Sequence, residues 1–138
     1  MSEELHELER FAFGDSAKMA DALLGLVLSG AKTATSGTLR EYEKEGGRLP
    51  RPGNRSIVLD GTGTPACVIE IVDVTLRRFD EVDSAFAHDE GEGDRSLSYW
   101  RSVHEEFFRR NGGFAPDMML VCEKFRVVEC LNAEGVSA

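Results

Sequence analysis

Residues 66–76 constrain the fold of this 138-residue chain more than any other segment. The segment is rich in β-branched residues, and both of its alternating sets of positions are almost wholly apolar. The first set is Cys67, Ile69 and Ile71, and the second is Val68, Val72 and Val74. Successive side chains of a strand point to opposite faces, so the pattern predicts a strand that is covered on both sides. A fold that contains such a strand needs structure packed against each face of its sheet.

Two further segments predict the partners of this strand. Residues 56–59 form a short apolar run that ends at Asp60-Gly61-Thr62-Gly63, a turn signal, which predicts a hairpin with the 66–76 strand. Residues 118–130 predict a long final strand, because apolar residues occupy alternating positions on one side. These positions are Met119, Val121, Phe125 and Val127, and Glu123 lies on the same face.

Two helices flank the turn that follows residue 29. The first is capped by Asp15 or Ser16 and ends at Gly30, since glycine takes a left-handed backbone at little steric cost. Its apolar stripe is Ala20, Leu23, Leu24, Val27 and Leu28. Thr38 followed by Glu41 predicts the start of a second, short polar helix, although Thr35 is an alternative cap.

Two more helices are predicted between the strands. Residues 79–87 suit a short helix, and a longer one begins at Asp94 or Ser96 and stops at Asn111-Gly112-Gly113. The apolar positions of the longer helix are Leu97, Trp100, His104 and Phe107. Strands entered from helices predict the α+β class, as a compact barrel flanked by helices and not as a doubly wound sheet.

Composition limits the partners of the chain. Its length fits one domain, residues 1–138, and its net charge of -9 opposes binding to an extended DNA duplex. No basic leader precedes an apolar run and no apolar stretch is long enough to span a membrane, so we expect a cytoplasmic protein without a membrane partner. The three cysteines, Cys67, Cys122 and Cys130, lack metal-ligand spacing and lie in apolar runs, which predicts reduced core thiols.

Residues 30–35 put an amine and two hydroxyls on a turn without a bulky apolar residue. Lys32, if partly desolvated there, has a lowered pKa and serves as a general base; the alternative is an exposed surface lysine. Thr35 is either a nucleophile activated by Lys32 or the cap of the next helix. The free N–H groups at that helix start offer a place for an oxyanion.

Residues 88–95 contain no bulky apolar residue, so they predict a loop outside the core. Its acids can act as proton donors, bind a divalent cation or be simply solvated, and they lack EF-hand spacing. They are Asp89, Glu90, Glu92 and Asp94. Two glycines flank Glu92 and allow close approach to a ligand, so Glu92 is the acid predicted to point inward.

Several other side chains are candidates for ligand binding. Trp100 and Tyr99 can stack on a base and His104 can exchange protons, although core packing is the favoured explanation for Trp100. Arg95 can meet a phosphate or pair with the neighbouring acids. Glu123 carries a charge into an apolar face, so it either faces a cavity or meets Lys32, an arginine or a hydroxyl, and we expect it to orient Lys32.

Three segments together resemble the ASCH domain family, a PUA-like group, and in particular its bacterial single-domain members. They are Gly30-Ala31-Lys32-Thr33-Ala34-Thr35, which matches a G-x-K-x-x-T pattern; residues 90–100; and Val121-Cys122-Glu123-Lys124-Phe125. The resemblance implies a small PUA-like β-barrel of about five to six strands flanked by helices. It also implies a cleft that binds RNA or a modified nucleoside.

The resemblance further implies roles for residues. Small relatives include an amidohydrolase that removes the acetyl group from N4-acetylcytidine, and by position Lys32 is the base, Thr35 the nucleophile and Glu92 the proton donor. The predicted substrate-binding residues are Thr33, Arg40, Arg95, Tyr99, Trp100, His104 and Glu123. Gly37 replaces an arginine that is frequent in the family, and Arg40 comes later.

The leading hypothesis is a domain that binds RNA or a nucleoside and hydrolyses an amide on a modified base, without a metal or other cofactor. One alternative is a metal-dependent ribonuclease that uses Glu90, Glu92 or Asp94 to hold the ion. The other is a non-catalytic RNA-binding module.

Overall fold

A computed structural model describes residues 8–131, and its centre is a curled, half-barrel sheet of five strands. The strands are β1 (Glu9–Phe11), β2 (Ala34–Thr38), β3 (Arg55–Leu59), β4 (Pro65–Arg78) and β5 (Met119–Cys130). The helices are α1 (Ala17–Ser29), α2 (Leu39–Lys44), α3 (Ser84–Glu90) and α4 (Leu97–Arg110), with a 3₁₀ helix at Phe79–Glu81. This architecture confirms the predicted α+β class and PUA-like barrel.

The sheet order is β1-β3-β4-β5-β2. β1 runs parallel to β3, and the other neighbouring strands are antiparallel. The predicted hairpin is confirmed as β3 and β4, and Asp60 Oδ1 closes its turn by accepting hydrogen bonds from the N–H groups of Thr62 and Thr64. Because β2 is an edge strand, half of its backbone polar groups face away from the sheet.

The long strands β4 and β5 form the centre of the sheet; β4 is slightly longer than its predicted range, and β5 begins one residue later than predicted. The expectation that β4 is covered on both faces along its length is wrong. Val72 and Leu76 are 47% and 48% exposed, and the pairing register shifts between Ile71 and Asp73. Such an irregularity bends and twists a strand, and the buried residues Cys67, Val68, Ile69 and Ile71 all precede it.

Two apolar clusters hold the helices to the sheet. In one, Leu23, Leu24 and Val27 of α1 pack against Ile69, Ile71 and Phe125. In the other, Trp100 and Phe108 of α4 pack with Phe79, Phe86 and Leu120. The predicted limits of α1 are confirmed, since Ser16 Oγ accepts the Met19 N–H and Gly30 ends the helix with a φ of 88°.

The secondary structure of several polar segments differs from the prediction. Residues 34–38 form a strand instead of a turn, and Thr38 caps α2 by accepting the Glu41 N–H, so Thr35 is not a cap and no helix starts there. The short strand β1 was not predicted. Residues 79–87 divide into the 3₁₀ helix and α3.

The predicted acidic loop also differs. Helix α3 continues to Glu90, and Glu90 and Gly91 are buried, so this segment is not wholly outside the core. Cys67 and Cys122 are buried as predicted, whereas Cys130 is exposed at the end of β5. In residues 8–131, no helix combines the length and apolar character needed to cross a membrane.

Candidate functional site

The site forms where the turn between α1 and β2 meets the end of α3. The Thr33 N–H donates to Asp89 O at 2.8 Å, and Arg95 donates to the carbonyl oxygens of Ala31 and His88. Gly91 has a φ of 76° and lies so close to Ala31 O that a Cβ would not fit. These contacts join two segments that are almost 60 residues apart in sequence, since Glu90 follows Lys32 by 58 positions.

Lys32 is 2% exposed, so the alternative of an exposed surface lysine is wrong. Its Nζ donates to Ala34 O at 2.8 Å and to Glu90 Oε1 at 3.0 Å, and Glu92 Oε2 lies 3.5 Å away. The ring of Phe13 lies 5.4 Å from the ammonium. A buried ammonium thus faces two carboxylates and a carbonyl, which are the partners that a charge removed from water requires.

Glu90 is the most enclosed carboxylate of the site, at 1% exposure. Its Oε2 accepts hydrogen bonds from Ser36 Oγ at 2.8 Å and from the indole nitrogen of Trp100 at 2.9 Å, while His104 Nε2 lies 3.6 Å away. Burial alone raises the pKa of Glu90, but the charges of Lys32 and His104 and these hydrogen bonds outweigh it and hold the pKa well below its ordinary value.

His104 is held in place by the same network. Its ring stacks on Trp100 with the centroids 4.3 Å apart, and Nδ1 lies 2.9 Å from Trp100 O. Burial lowers the pKa of His104, but the charge and hydrogen bond of Glu90 raise it overall. A histidine in this position therefore keeps its proton to a higher pH than a free one.

A cavity of about 70 Å³ opens beside this network. Its apolar lining residues are Phe13, Met19, Leu23, Val103, Phe107 and Phe108. Its polar lining residues are Lys32, Thr35, Ser36, Glu90, Glu92 and His104. The cavity therefore brings together the three residues for which catalytic roles were predicted, Lys32, Thr35 and Glu92.

The two hydroxyls on β2 have different environments. Ser36 is bonded to Glu90, whereas no hydrogen bond within the described residues engages the Thr35 hydroxyl. Neighbouring side chains of a strand point to opposite faces, so Thr35 shares the face of its cross-strand partner Glu123 and Ser36 that of Cys122, and both residues are among those that line the cavity. Of these two hydroxyls, that of Thr35 is the uncommitted one.

The backbone of β2 adds a donor to the same edge. The Phe125 N–H donates to Thr33 O, and Ala34 lies opposite Lys124. Hydrogen-bonded pairs alternate along an antiparallel ladder, so Thr35 exchanges hydrogen bonds with β5. The backbone groups of Ala34 and Ser36 therefore point away from β5. Lys32 accordingly reaches the outward Ala34 O. The Ser36 N–H faces the same side and has no partner among the described residues.

Glu123 does not orient Lys32. It is 8% exposed, and its Oε2 accepts a hydrogen bond from Tyr42 Oη at 2.8 Å on the far side of β2. Burial raises the pKa of Glu123 above its ordinary value, and the bond from Tyr42 offsets this only in part. A hydroxyl was one of the predicted partners of Glu123, and the hydroxyl that it meets is that of Tyr42 in α2.

The other predicted binding residues, His104 excepted, do not line the cavity. Trp100 is 2% exposed and committed to Glu90, so it is a core residue that is not free to stack on a base. Tyr99 is exposed and covers Gly93, Thr33 is exposed, and Arg40 donates to Gly113 O at 2.6 Å. Arg95 anchors its own loop, as described above.

Sequence reasoning favoured Glu92 over Glu90, but the structure places Glu90 deeper and closer to Lys32. A signal was present: Glu90 follows Phe86 and Ala87 at helical spacing, and all three are buried in α3. An acid on an apolar helix stripe needs a buried partner, and Lys32 is that partner.

Three residues of the site also have side chains of the kinds that bind metal ions. Ligand atoms of Glu90, Glu92 and His104 lie within 4.8 Å of one another, and carboxylate and imidazole groups suit several divalent ions. However, the Lys32 ammonium lies 3.0 Å from Glu90 and 3.5 Å from Glu92, so an ion would have to compete with it for the same carboxylates.

Comparison with known proteins gives consistent matches. The sequence profile described as the ASCH domain matches residues 9–129. The ASCH domain of Lactobacillus crispatus JV V101 is 34% identical over 92% of this chain and 83% of its own, with a TM-score of 0.83. A protein from Enterococcus faecalis V583 is 38% identical over 88% of this chain and 77% of its own, with a TM-score of 0.81.

A mutant ASCH protein from Zymomonas mobilis is 12% identical over 93% of this chain and 76% of its own, with a TM-score of 0.54, so it shares the fold alone. No protein of curated function matches the chain.

Proposed function

The chain belongs to the ASCH domain family, and from this premise we propose that it binds a modified nucleoside and hydrolyses an amide bond on the base. N4-acetylcytidine is the most concrete substrate. The observation that carries the proposal is one cavity lined by Lys32, Thr35 and Glu92 beside a buried ion pair. The proposal keeps the sequence predictions of a single, cytoplasmic domain.

The cavity supports a nucleoside better than a stretch of RNA. Its apolar lining residues suit the face of a base, and its polar lining residues suit an edge that donates and accepts hydrogen bonds. Lys32 and, when protonated, His104 are the cations of the lining, and both already face carboxylates. A phosphate would therefore meet no free positive charge there.

The size of the cavity limits what enters it. At about 70 Å³ the cavity is far smaller than the pockets of about 300–1,000 Å³ that enclose drug-sized ligands, so we expect it to take up a group such as an acetyl amide and not a whole nucleoside. The reacting group would lie inside beside Thr35, and the ribose would remain at the mouth.

The chemistry needs a neutral base and a protonated acid. Transfer of one proton from Lys32 to Glu92, 3.5 Å away, produces both. The transfer removes the charges of Lys32 and Glu92 and leaves the carboxylate of Glu90 as the charge of this part of the site. Lys32 then takes the proton of Thr35, Thr35 attacks the acyl carbon, and the Ser36 N–H donates to the developing oxyanion.

The remaining steps complete the reaction. Glu92 gives its proton to the leaving amine as the carbon–nitrogen bond breaks, which leaves an acyl group on Thr35. Water then hydrolyses this ester and releases the free acid. Glu90 stays ionised throughout and positions Lys32, consistent with its depressed pKa.

Metal-dependent cleavage of RNA is the second candidate, and the proximity of Glu90, Glu92 and His104 favours it. In that case an ion held by these three groups would activate water. Competition from Lys32 is the reason to rank it second.

The test is incubation with N4-acetylcytidine, with cytidine and acetate measured by chromatography. We expect turnover that a chelator does not reduce and that Lys32→Ala lowers at least about 100-fold, the lower end for loss of a general base. Lys18→Ala removes an exposed lysine of α1 and is the matched control.

Three outcomes contradict the proposal. Unchanged turnover in Lys32→Ala rejects the mechanism. Cleavage of RNA that a chelator abolishes, without any release of cytidine, selects the ribonuclease instead, and saturable RNA binding without product selects a binding module.

A further inference from the structure

Cys67 and Cys130 lie directly opposite each other on the neighbouring strands β4 and β5. The Leu131 N–H donates to Ala66 O at 2.8 Å, which makes the cysteine pair next to it a non-hydrogen-bonded pair. In such pairs the Cα atoms are about 4.5 Å apart and the two side chains share a face. This separation lies within the range of about 4.4–6.8 Å that a disulfide spans.

The two thiols differ in access. Cys67 is 0% exposed, while Cys130 is exposed and borders a surface groove of about 340 Å³. A reagent in solution therefore reaches Cys130 first, and Cys67 reacts only with what Cys130 carries. Cys122 is buried opposite Ser36 and Thr75, so it has no thiol in either neighbouring position.

We propose that Cys67 and Cys130 are a thiol-modification site, at which a small disulfide such as oxidised glutathione converts them into a reversible cross-strand disulfide. The Cys130 thiolate attacks one sulfur of glutathione disulfide and expels the first glutathione as a thiolate, which takes up a proton. Cys67 loses its proton and attacks the Cys130 sulfur, expelling the second glutathione. Two protein thiols are oxidised and one glutathione disulfide is reduced to two thiols.

The second step has a distinctive pH dependence. Burial raises the pKa of the Cys67 thiol to about 11, and the neighbouring Cys130 contributes to this. The thiolate is the attacking species, so the rate of disulfide closure rises roughly tenfold per pH unit between about pH 7 and pH 10.

The experiment treats the full chain with oxidised glutathione and follows intact mass and peptide maps. We expect wild type to end with a Cys67–Cys130 disulfide that dithiothreitol reverses. Cys67→Ala and Cys67→Ser should keep one glutathione on Cys130, Cys130→Ser should remain unmodified, and Cys122→Ser should behave as wild type. The two variants at Cys67 guard against one that fails to fold.

Three results overturn the proposal: a stable glutathione adduct on wild-type Cys130 with Cys67 still free, modification of Cys67 in Cys130→Ser, or no reaction of wild type. None of these depends on hydrolysis of a nucleoside, so this inference and the proposed function can fail separately.

Discussion

Lys32 and Glu90 form an ion pair in which each side chain is 1% exposed. We therefore expect Lys32→Met to destabilise the protein by about 3–5 kcal/mol, because the buried carboxylate of Glu90 loses its nearest positive charge. The double variant Lys32→Met/Glu90→Gln should recover most of this loss. Urea unfolding measures both.

Arg109→Met is the control for this pair, since Arg109 and Glu105 are an exposed ion pair worth less than about 1 kcal/mol. Equal effects of Lys32→Met and Arg109→Met would mean that the Lys32 site is solvated.

Thr35 and Ser36 are adjacent hydroxyls with opposite expected roles. Thr35→Val keeps the shape of the side chain, and we expect it to abolish turnover of N4-acetylcytidine while the free energy of unfolding changes by less than about 1 kcal/mol. Ser36→Ala should cost about 1–3 kcal/mol in stability, since Glu90 loses a hydrogen bond, and should retain turnover. The reverse pattern would assign the nucleophile to Ser36.

The raised pKa of Glu123, a residue outside the cavity, predicts that the stability of the protein depends on pH. Its folded pKa is raised by burial, so its contribution to stability is fully present below the unfolded pKa, near 4.5, and is lost as pH rises through the folded pKa. Glu123→Gln keeps an acceptor for Tyr42 without the charge. We expect this variant to gain stability over wild type as pH rises from 4 to 8 in thermal melts, while the exposed Glu43→Gln does not.

At the scale of elements, Gly30 and Gly91 end helices α1 and α3 in the same left-handed conformation. An added Cβ meets nothing within 4 Å at Gly30 but collides with Ala31 at Gly91. Gly30→Ala should cost about 1–2 kcal/mol from backbone strain alone. Gly91→Ala should cost more and also lower turnover, because it pushes the Lys32 turn away from α3; equal costs would show that this contact is loose.

The elements that could be predicted from the sequence are those with a regular apolar pattern. Helices α1 and α4 and strands β4 and β5 were predictable, because apolar periodicity, Ser16 and Ser96 caps and glycine stops are local signals. Strand β2 was not, since Thr35, Ser36 and Gly37 resemble a turn and its pairing with β5 is set by contacts about 90 residues away.

The site was predictable only in part for the same reason. The segments that contain Lys32 and Glu92 were identified from their residue types. The pairing of Lys32 with Glu90 depends on how α3 docks on the turn. The partner of Glu123 depends in the same way on the position of α2. Such docking is decided by long-range packing that no single segment encodes.

The whole molecule carries a net charge of -9, which bears on the kind of ligand it attracts. An uncharged nucleoside has no long-range interaction with this charge, so KM for N4-acetylcytidine should change less than twofold between about 50 and 500 mM salt. Affinity for RNA, by contrast, would fall steeply over this range through counterion release. A strongly salt-dependent KM would indicate that the substrate carries phosphates.

The residues that line the cavity come from the segments 13–36 and 90–108, and the connection at Gly46 and Gly47 is exposed and makes no close contacts that a Cβ would meet. Exposed loop tips of this kind tolerate insertions well. A peptide tag or a reporter domain spliced in between these two glycines should leave catalysis intact, which offers a handle for immobilising the protein or following it by fluorescence.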